Sequence, residues 1–313
     1  MEGARRPPRV PSNGAPPSRT NPEGQPWDYP VFAPRRADHT GPNGRGLFER
    51  RLDRMRRDFD GVRVDHPHGF VCPWVYRKDV PDPYAAVRAG ARLFESPDLE
   101  DHPELRGFAR IRADQIARTA PRFADRWVEW LSAEQVSTYA EELRKIRDAF
   151  PGPAGSRIAC EVLSTCPLPL EESTRHLGLG RFRVTQKADP DNPDDVYRAD
   201  RASPEDWIMV GTHDTPTIWA LVDAWSSTDR SRREARALAR VIDPTGELRV
   251  LDELSSDPAR IGHAKFVEAF VSPASNLIVF SADWYGQRGR TNLPGVVSPE
   301  NWRLRVPHES ERR

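Results

Sequence analysis

The chain has 313 residues, and its 47 Lys plus Arg are balanced by 47 Asp plus Glu, giving a formal net charge of zero. That balance excludes the basic footprint of a nucleic-acid binder and the cationic face of a protein that docks on anionic membranes. No run of about 18 apolar residues is present to cross a bilayer. The three cysteines, an odd count, fit reduced thiols in a cytoplasmic setting rather than a disulfide framework.

Residues 1–45 are dense in Pro, Gly, Asn and Arg, and this composition predicts a loop segment leading into the folded part, with aromatics at Trp27, Tyr29 and Phe32. A catalytic domain is expected over 46–306 and a polar tail over 307–313. Helical spacing over 47–59 sets Leu47, Phe48, Leu52 and Met55 on one side and arginines opposite. A strand follows at about 61–66. Residues 84–150 read as a helical insertion, with helices at 84–94, 104–116, 123–131 and 133–150. Strands return near 157–163, 181–186, 206–211 and 276–281. Helices are expected at 231–241, where Ser231 and Glu234 have capping-box spacing, and at 264–271. Alternation of buried strands and helices predicts an α/β fold with parallel strands and right-handed crossovers. Five strands fall short of a closed eight-stranded barrel, so the expectation is a partial (β/α)8-type barrel, about strands four to eight.

Three of these strands meet a carboxylate at the C-terminal end, where barrel scaffolds place catalytic groups: Asp65, Glu161 and Asp214. A retaining glycosidase needs a carboxylate nucleophile and a carboxylic acid about 5–5.5 Å apart. Asp65 and Glu161 end strands that would be consecutive, which suits that spacing. Arg63 shares a strand face with Asp65 and would hold its carboxylate ionised. The plainer reading, in which each carboxylate caps a helix or pairs with an arginine, suffices for one such residue and weakens for three together. His66 and His68 also admit a metal amidohydrolase, with Asp214 as its late aspartate. The later strands offer Glu161 and Lys187 but no histidine, so that site lacks its middle ligands. His213 beside Asp214 lacks the Gly-x-Ser-x-Gly elbow of a serine hydrolase, and a sugar-hydroxyl contact suits it better. The glycines at 286–289 do not follow a strand in dinucleotide-binding spacing. Trp127 and Trp130, at helical spacing, read as core, whereas Trp27 and Trp74 read as loop platforms for sugar rings. Cys72, Cys160 and Cys166 read as structural.

The order of these motifs resembles the amylomaltases, 4-alpha-glucanotransferases of glycoside hydrolase family 77. Arg63-Val64-Asp65-His66 with Gly69-Phe70 resembles the nucleophile strand of that family, and Cys160-Glu161-Val162-Leu163 its acid/base strand. Gly211-Thr212-His213-Asp214 resembles the third-carboxylate motif. Gly24-Gln25-x-Trp27 resembles a loop before the nucleophile strand, and Asn292-x-Pro294-Gly295 with Asn301-Trp302-Arg303 the closing signature. The resemblance implies Asp65 as nucleophile, Glu161 as acid/base and Asp214 as transition-state stabiliser. It implies sugar contacts for Arg63, His213, Gln25, Trp27, His66 and Asn292, with no metal and no cofactor. The implied reaction transfers alpha-1,4-glucan segments between maltodextrins, with glucose or an oligosaccharide as acceptor. Val162 stands where the family usually has Asp, and Thr215-Pro216 where it has Asn-Asp, so hydrogen bonds behind the carboxylates should differ. The match covers the C-terminal portion of an amylomaltase, with the first three strands to be supplied in cis or in trans. A glucan-binding remnant without turnover is the alternative.

Overall fold

The apolar runs at 158–160, 182–184 and 207–209 become strands that are buried almost throughout. The computed structural model describes residues 11–18, 21–31, 44–153 and 156–305. The chain divides into two compact units, Met1–Leu179 and Gly180–Arg313.

In the first unit the elements are β1 (Ser12–Ala15), β2 (Gln25–Pro30), α1 (Gly44–Asp58), β3 (Val62–Val64), α2 (His68–Val71), β4 (Trp74–Tyr76), α3 (Pro83–Arg88), β5 (Ala91–Arg92), α4 (Ala133–Tyr139), α5 (Glu141–Ala149), β6 (Ile158–Cys160) and α6 (Leu168–Leu177). Strands β3 and β6 pair in parallel. A second, antiparallel sheet runs in the order β2-β1-β4-β5. Their shared core gathers Val64, Leu93, Phe94, Trp127, Tyr139, Leu143, Ile158, Cys160 and Leu170.

This antiparallel sheet corrects the reading of residues 1–45 as loop, since β1 and β2 both lie there. The polar strand β1 carries no hydrophobic alternation, and it forms because β4 supplies its hydrogen-bonding partner. Gly14 permits the approach, because a Cβ there would meet the Gln25 carbonyl oxygen at 2.4 Å. Trp74 is likewise corrected from loop platform to core: it lies in β4, is buried, and its indole N–H donates to the Val87 carbonyl at 2.9 Å.

The helical insertion is only partly helical. Residues 91–92 are strand, and Pro103–Phe108 and Ala113–Gln115 are short 3-10 turns. Ile116 and Val128 form an isolated antiparallel bridge where helix was expected. Prolines break the helical ladder here, and the buried Gln115 replaces it with side-chain bonds, donating to the Trp130 carbonyl at 2.8 Å. The helices at α4 and α5 do form, with Ser132 and Gln135 closing a capping box on α4. Trp127 is core, but Trp130 is 43% exposed, against the expectation for it. In α1, Phe48, Leu52 and Met55 pack on the core while Leu47 faces solvent.

In the second unit, β7 (Phe182–Val184), β8 (Trp207–Met209), α7 (Ile218–Trp225), α8 (Asp229–Ile242), α9 (Glu247–Ser256), α10 (Pro258–Phe270), β9 (Asn276–Leu277) and α11 (Ser281–Trp284) follow in order. The three strands form one parallel sheet, β7-β8-β9. The helices cover a core of Ile208, Val210, Ile218, Leu238, Ile261 and Ala264. Helix α8 starts at Asp229 behind an N-cap of Thr228, not at Ser231. Glu234, expected in a capping box, is buried instead, 3.0 Å from the Lys265 ammonium.

All five expected parallel strands are present, shorter than their apolar runs, and the α/β class stands. The tail at 307–313 lies outside the described residues, as does Phe32. Among the described residues no helix is long and apolar enough to cross a membrane.

Candidate active site

Strand register explains the first half of the site. Val64 pairs with Cys160, and the ladder continues as the Glu161 amide donates to the Val64 carbonyl at 3.0 Å. Asp65 and Glu161 are therefore side by side at the C-terminal ends of β3 and β6. Period-two alternation puts Arg63 on the face shared with Asp65. One of its nitrogens, Nη2, reaches Asp65 Oδ1 at 2.7 Å and Glu161 Oε1 at 2.8 Å. Two oxygens bonded to a single nitrogen lie within the sum of those distances of each other. That bound, with the direct hydrogen bond between the two carboxyls, sets the pair closer than the roughly 6.5–9.5 Å of inverting sites, which leave room for a water.

The environments of the two carboxylates differ sharply. Asp65 is 72% exposed at its side chain and Glu161 only 16%. Burial, and then the hydrogen bond with Asp65, push the Glu161 carboxyl up to about 7, against the lowering pull of Arg63. A carboxylic acid is thereby kept half protonated near neutral pH.

The backbone turns sharply after Asp65. His66 has φ of +46°, a strained region for a residue with a Cβ. Its ring stacks on His68 at 4.3 Å and meets the edge of Trp27 at 4.6 Å. Burial holds the His66 imidazole down at about 4, so it is neutral at pH 7. Trp27 in turn donates its indole N–H to Gln25 Oε1 at 2.8 Å, and both sit on β2 rather than in a loop. The structure thus brings Gln25, Trp27, Arg63, Asp65, His66 and Glu161 into one cluster. The two histidine rings lie face to face, and among the described residues no group of three or more His, Cys, Asp or Glu is disposed to hold a metal ion.

Asp214, His213 and Asn292 form a second cluster, in the second unit. Beyond β8, Thr212 and Thr215 close a tight turn: the Thr212 amide donates to Thr215 Oγ1 at 2.9 Å and the Thr215 amide to the Thr212 carbonyl at 3.1 Å. Asp214 projects from this turn. Its Oδ1 accepts from the Asn292 amide at 2.6 Å, and its Oδ2 is 3.4 Å from His213 Nε2. Arg290 donates to the Asp214 backbone carbonyl at 2.8 Å, and the Asn292 backbone N–H donates to the His213 carbonyl at 3.0 Å. Asn292, expected to touch sugar, therefore spends its amide on the carboxylate. Its loop is closed by Asn301, whose side chain accepts from the Leu293 amide at 3.1 Å and donates to the Val296 carbonyl at 2.8 Å. The Trp302 ring lies 5.1 Å from His213 and is 58% exposed.

One residue of this cluster escaped sequence reading. Asp283, fully buried on α11, accepts from the Ile218 amide at 2.7 Å and so anchors the helix that leaves the Asp214 turn. Its other oxygen lies where a Cβ on Gly211 would meet it at 2.7 Å, which is why glycine stands at that position. Burial pushes the Asp283 carboxyl up to about 6. A lone Asp in a short helix gives no local signal of such a role.

Two close carboxylates at parallel strand ends are the arrangement used by enzymes that cleave glycosidic bonds through a covalent intermediate. The chain belongs to the 4-alpha-glucanotransferase family, whose model matches residues 6–310. Its fold is similar to that of the amylomaltase from Streptococcus agalactiae in complex with acarbose, with a TM-score of 0.60 at 16% identity over 96% of this chain and 48% of that one. It is also similar to the amylomaltase from Corynebacterium glutamicum, with a TM-score of 0.57 at 16% identity over 95% of this chain and 38% of that one. The chain thus spans about half the length or less of these structures. No curated protein matches it.

Proposed function

We propose that the chain carries the catalytic carboxylates of a 4-alpha-glucanotransferase acting on maltodextrins by a retaining, two-step mechanism. The observation that carries this reading is the single Arg63 nitrogen bridging Asp65 and Glu161, with Glu161 pushed up to about 7. Asp65 attacks the anomeric carbon while Glu161 gives its proton to the departing glycosidic oxygen. The glucosyl group is then bonded to Asp65, and the freed maltodextrin or glucose leaves. Glu161, now ionised, takes the proton of an acceptor 4-hydroxyl, which displaces Asp65 and restores both groups. Asp214 stabilises the positive charge that develops on the sugar ring. His213, Trp27 and Gln25 contact the glucan. The family resemblance supports these roles, and the (β/α)8-type barrel is the scaffold it implies, with the remaining strands supplied in cis or in trans.

The test is incubation with maltotriose. Transfer yields glucose plus maltodextrins longer than the substrate; equal glucose and maltose would mean hydrolysis. The assay is run on the 313-residue chain alone and joined to the missing barrel strands. Binding of maltodextrin with no turnover in both forms, unchanged in Glu161→Gln, would identify a glucan-binding remnant instead.

A further inference from the structure

The face of α8 turned away from the core lines a cavity that the carboxylate chemistry does not use. Arg233, Arg236, Ala237 and Arg240 fall on one side of this helix, at the three-, four- and seven-residue spacing of a single face. With Pro190, Asp191, Pro193 and Arg198 from the preceding loop they enclose about 390 Å³. Four arginines and one aspartate line it, the other carboxylates that pair with these arginines standing outside the lining.

Three of the four arginines are held in place by carboxylates. Arg198 makes a bidentate pair with Asp200, at 2.9 and 2.7 Å, and Arg240 Nε binds Glu247 at 2.9 Å. Arg233 Nη1 binds Asp191 at 2.6 Å. Pairing orients these groups without exhausting them, because a guanidinium has five N–H donors and a bidentate carboxylate takes two. Arg233 shows this directly. Its Nε is buried and makes no hydrogen bond among the described residues, the nearest carboxylate being Asp229 at 3.7 Å. Arg236 has no ion-pair or hydrogen-bond partner among the described residues, so its charge is uncompensated.

The opposite wall is rigid. The buried Arg183, locked to Asp206 at 2.6 Å, donates to the Val196 carbonyl at 2.8 Å. Arg230 donates to the Ala188 carbonyl at 2.6 Å, and the Tyr197 amide to Asp195 at 2.9 Å. The prolines restrict the loop further. A cavity with fixed walls, planar forks oriented by carboxylates and one free positive charge matches a tetrahedral dianion better than a single carboxylate.

We propose that this cavity binds a phosphate monoester, either a sugar phosphate free in solution or a phosphate group carried on a glucan. The site is independent of the glycosyl-transfer chemistry, so its failure and the failure of the catalytic reading are separate outcomes. The test is isothermal calorimetry on the 313-residue chain with three probes: inorganic phosphate, glucose 6-phosphate and phosphorylated maltodextrin. All are titrated at constant ionic strength, against wild type, Arg236→Glu and Arg236→Gln. The expected result is saturable binding to wild type that weakens at least about tenfold in Arg236→Glu and to a lesser degree in Arg236→Gln. Arg236 is exposed, so circular dichroism and the thermal midpoint without ligand should match wild type in at least the Gln variant. Tighter binding of glucose 6-phosphate assigns the free sugar phosphate, and tighter binding of phosphorylated maltodextrin assigns the glucan ester. No binding of any probe, or equal binding to wild type and folded Arg236 variants, overturns the proposal.

Discussion

The two carboxylate clusters hold their charges by opposite means. Around Asp65 and Glu161 the holder is a cation: one Arg63 nitrogen touches both carboxylates, at 2.7 and 2.8 Å. Around Asp214 the side-chain holder is a neutral amide, Asn292 at 2.6 Å, on a turn tied by backbone bonds. In the proposed mechanism the difference follows from the work each has to do. Two carboxylates at close spacing repel, and a shared guanidinium lowers that cost while burial leaves one of them able to carry a proton. A lone carboxylate that must present a full negative charge needs orientation but no neutralisation. An amide gives it a bond without consuming its charge.

The largest effect should come from breaking the acid. Glu161→Gln keeps a neutral group beside Asp65 and removes the transferable proton, so transfer from maltotriose should fall by roughly 10²–10⁴-fold with little change in folding. The pH profile sharpens this. Glu161 must be protonated to act as acid and its carboxyl is pushed up to about 7, so the rate should decline as pH rises through about 7. Arg63 lowers the Glu161 carboxyl and Asp65 raises it. Infrared or NMR titration should therefore find the Glu161 midpoint moved up in Arg63→Ala and down in Asp65→Asn. Equal midpoints in all three proteins would remove the bridging guanidinium from the account.

Next in size is Asn292→Ala, which leaves Asp214 without its amide. Loss of a hydrogen bond to a charged group, about 1.5–3 kcal/mol, corresponds to roughly 10–100-fold in kcat if it acts in the transition state. An unchanged kcat with raised KM would return Asn292 to a sugar-binding role.

Asp283→Asn tests the support beneath the same turn. The folded-state carboxyl is raised from 3.8 to about 6, so the native state binds the proton more tightly than the unfolded one. This contribution to stability is therefore full below about 3.8 and is lost as pH rises through about 6. The Asn variant keeps an acceptor for Ile218 and carries no charge. Urea unfolding should show it more stable than wild type above pH 6, by on the order of 3 kcal/mol, with the gap closing in acid. The smallest effect is expected from Thr217→Ala, which removes the N-cap of α7, whose hydroxyl accepts from the Ala220 amide. A loss of about 1 kcal/mol in unfolding free energy, with kcat intact, would show that the Asp214 turn does not depend on the cap.

Local sequence determined the strands that carry chemistry. Apolar runs such as Ile158-Ala159-Cys160 and Trp207-Ile208-Met209 have too little polar surface to be anything but buried elements, and a carboxylate of the proposed site follows each, Glu161 at once and Asp214 on the next turn. The sequence motifs likewise pointed to the family whose model matches residues 6–310. Tertiary structure decided what lacks a local signal. Polar β1 is a strand only because the nearby β2 and the distant β4 pair with it, and the same sheet took Trp74 into the core and put Trp27 against His66. Helical spacing across 104–131 lost to the buried side-chain bonds of Gln115. The protonation of Glu161 and the anchoring by Asp283 depend on burial and on partners far away in sequence, and burial is a property of the folded neighbourhood, not of the residue.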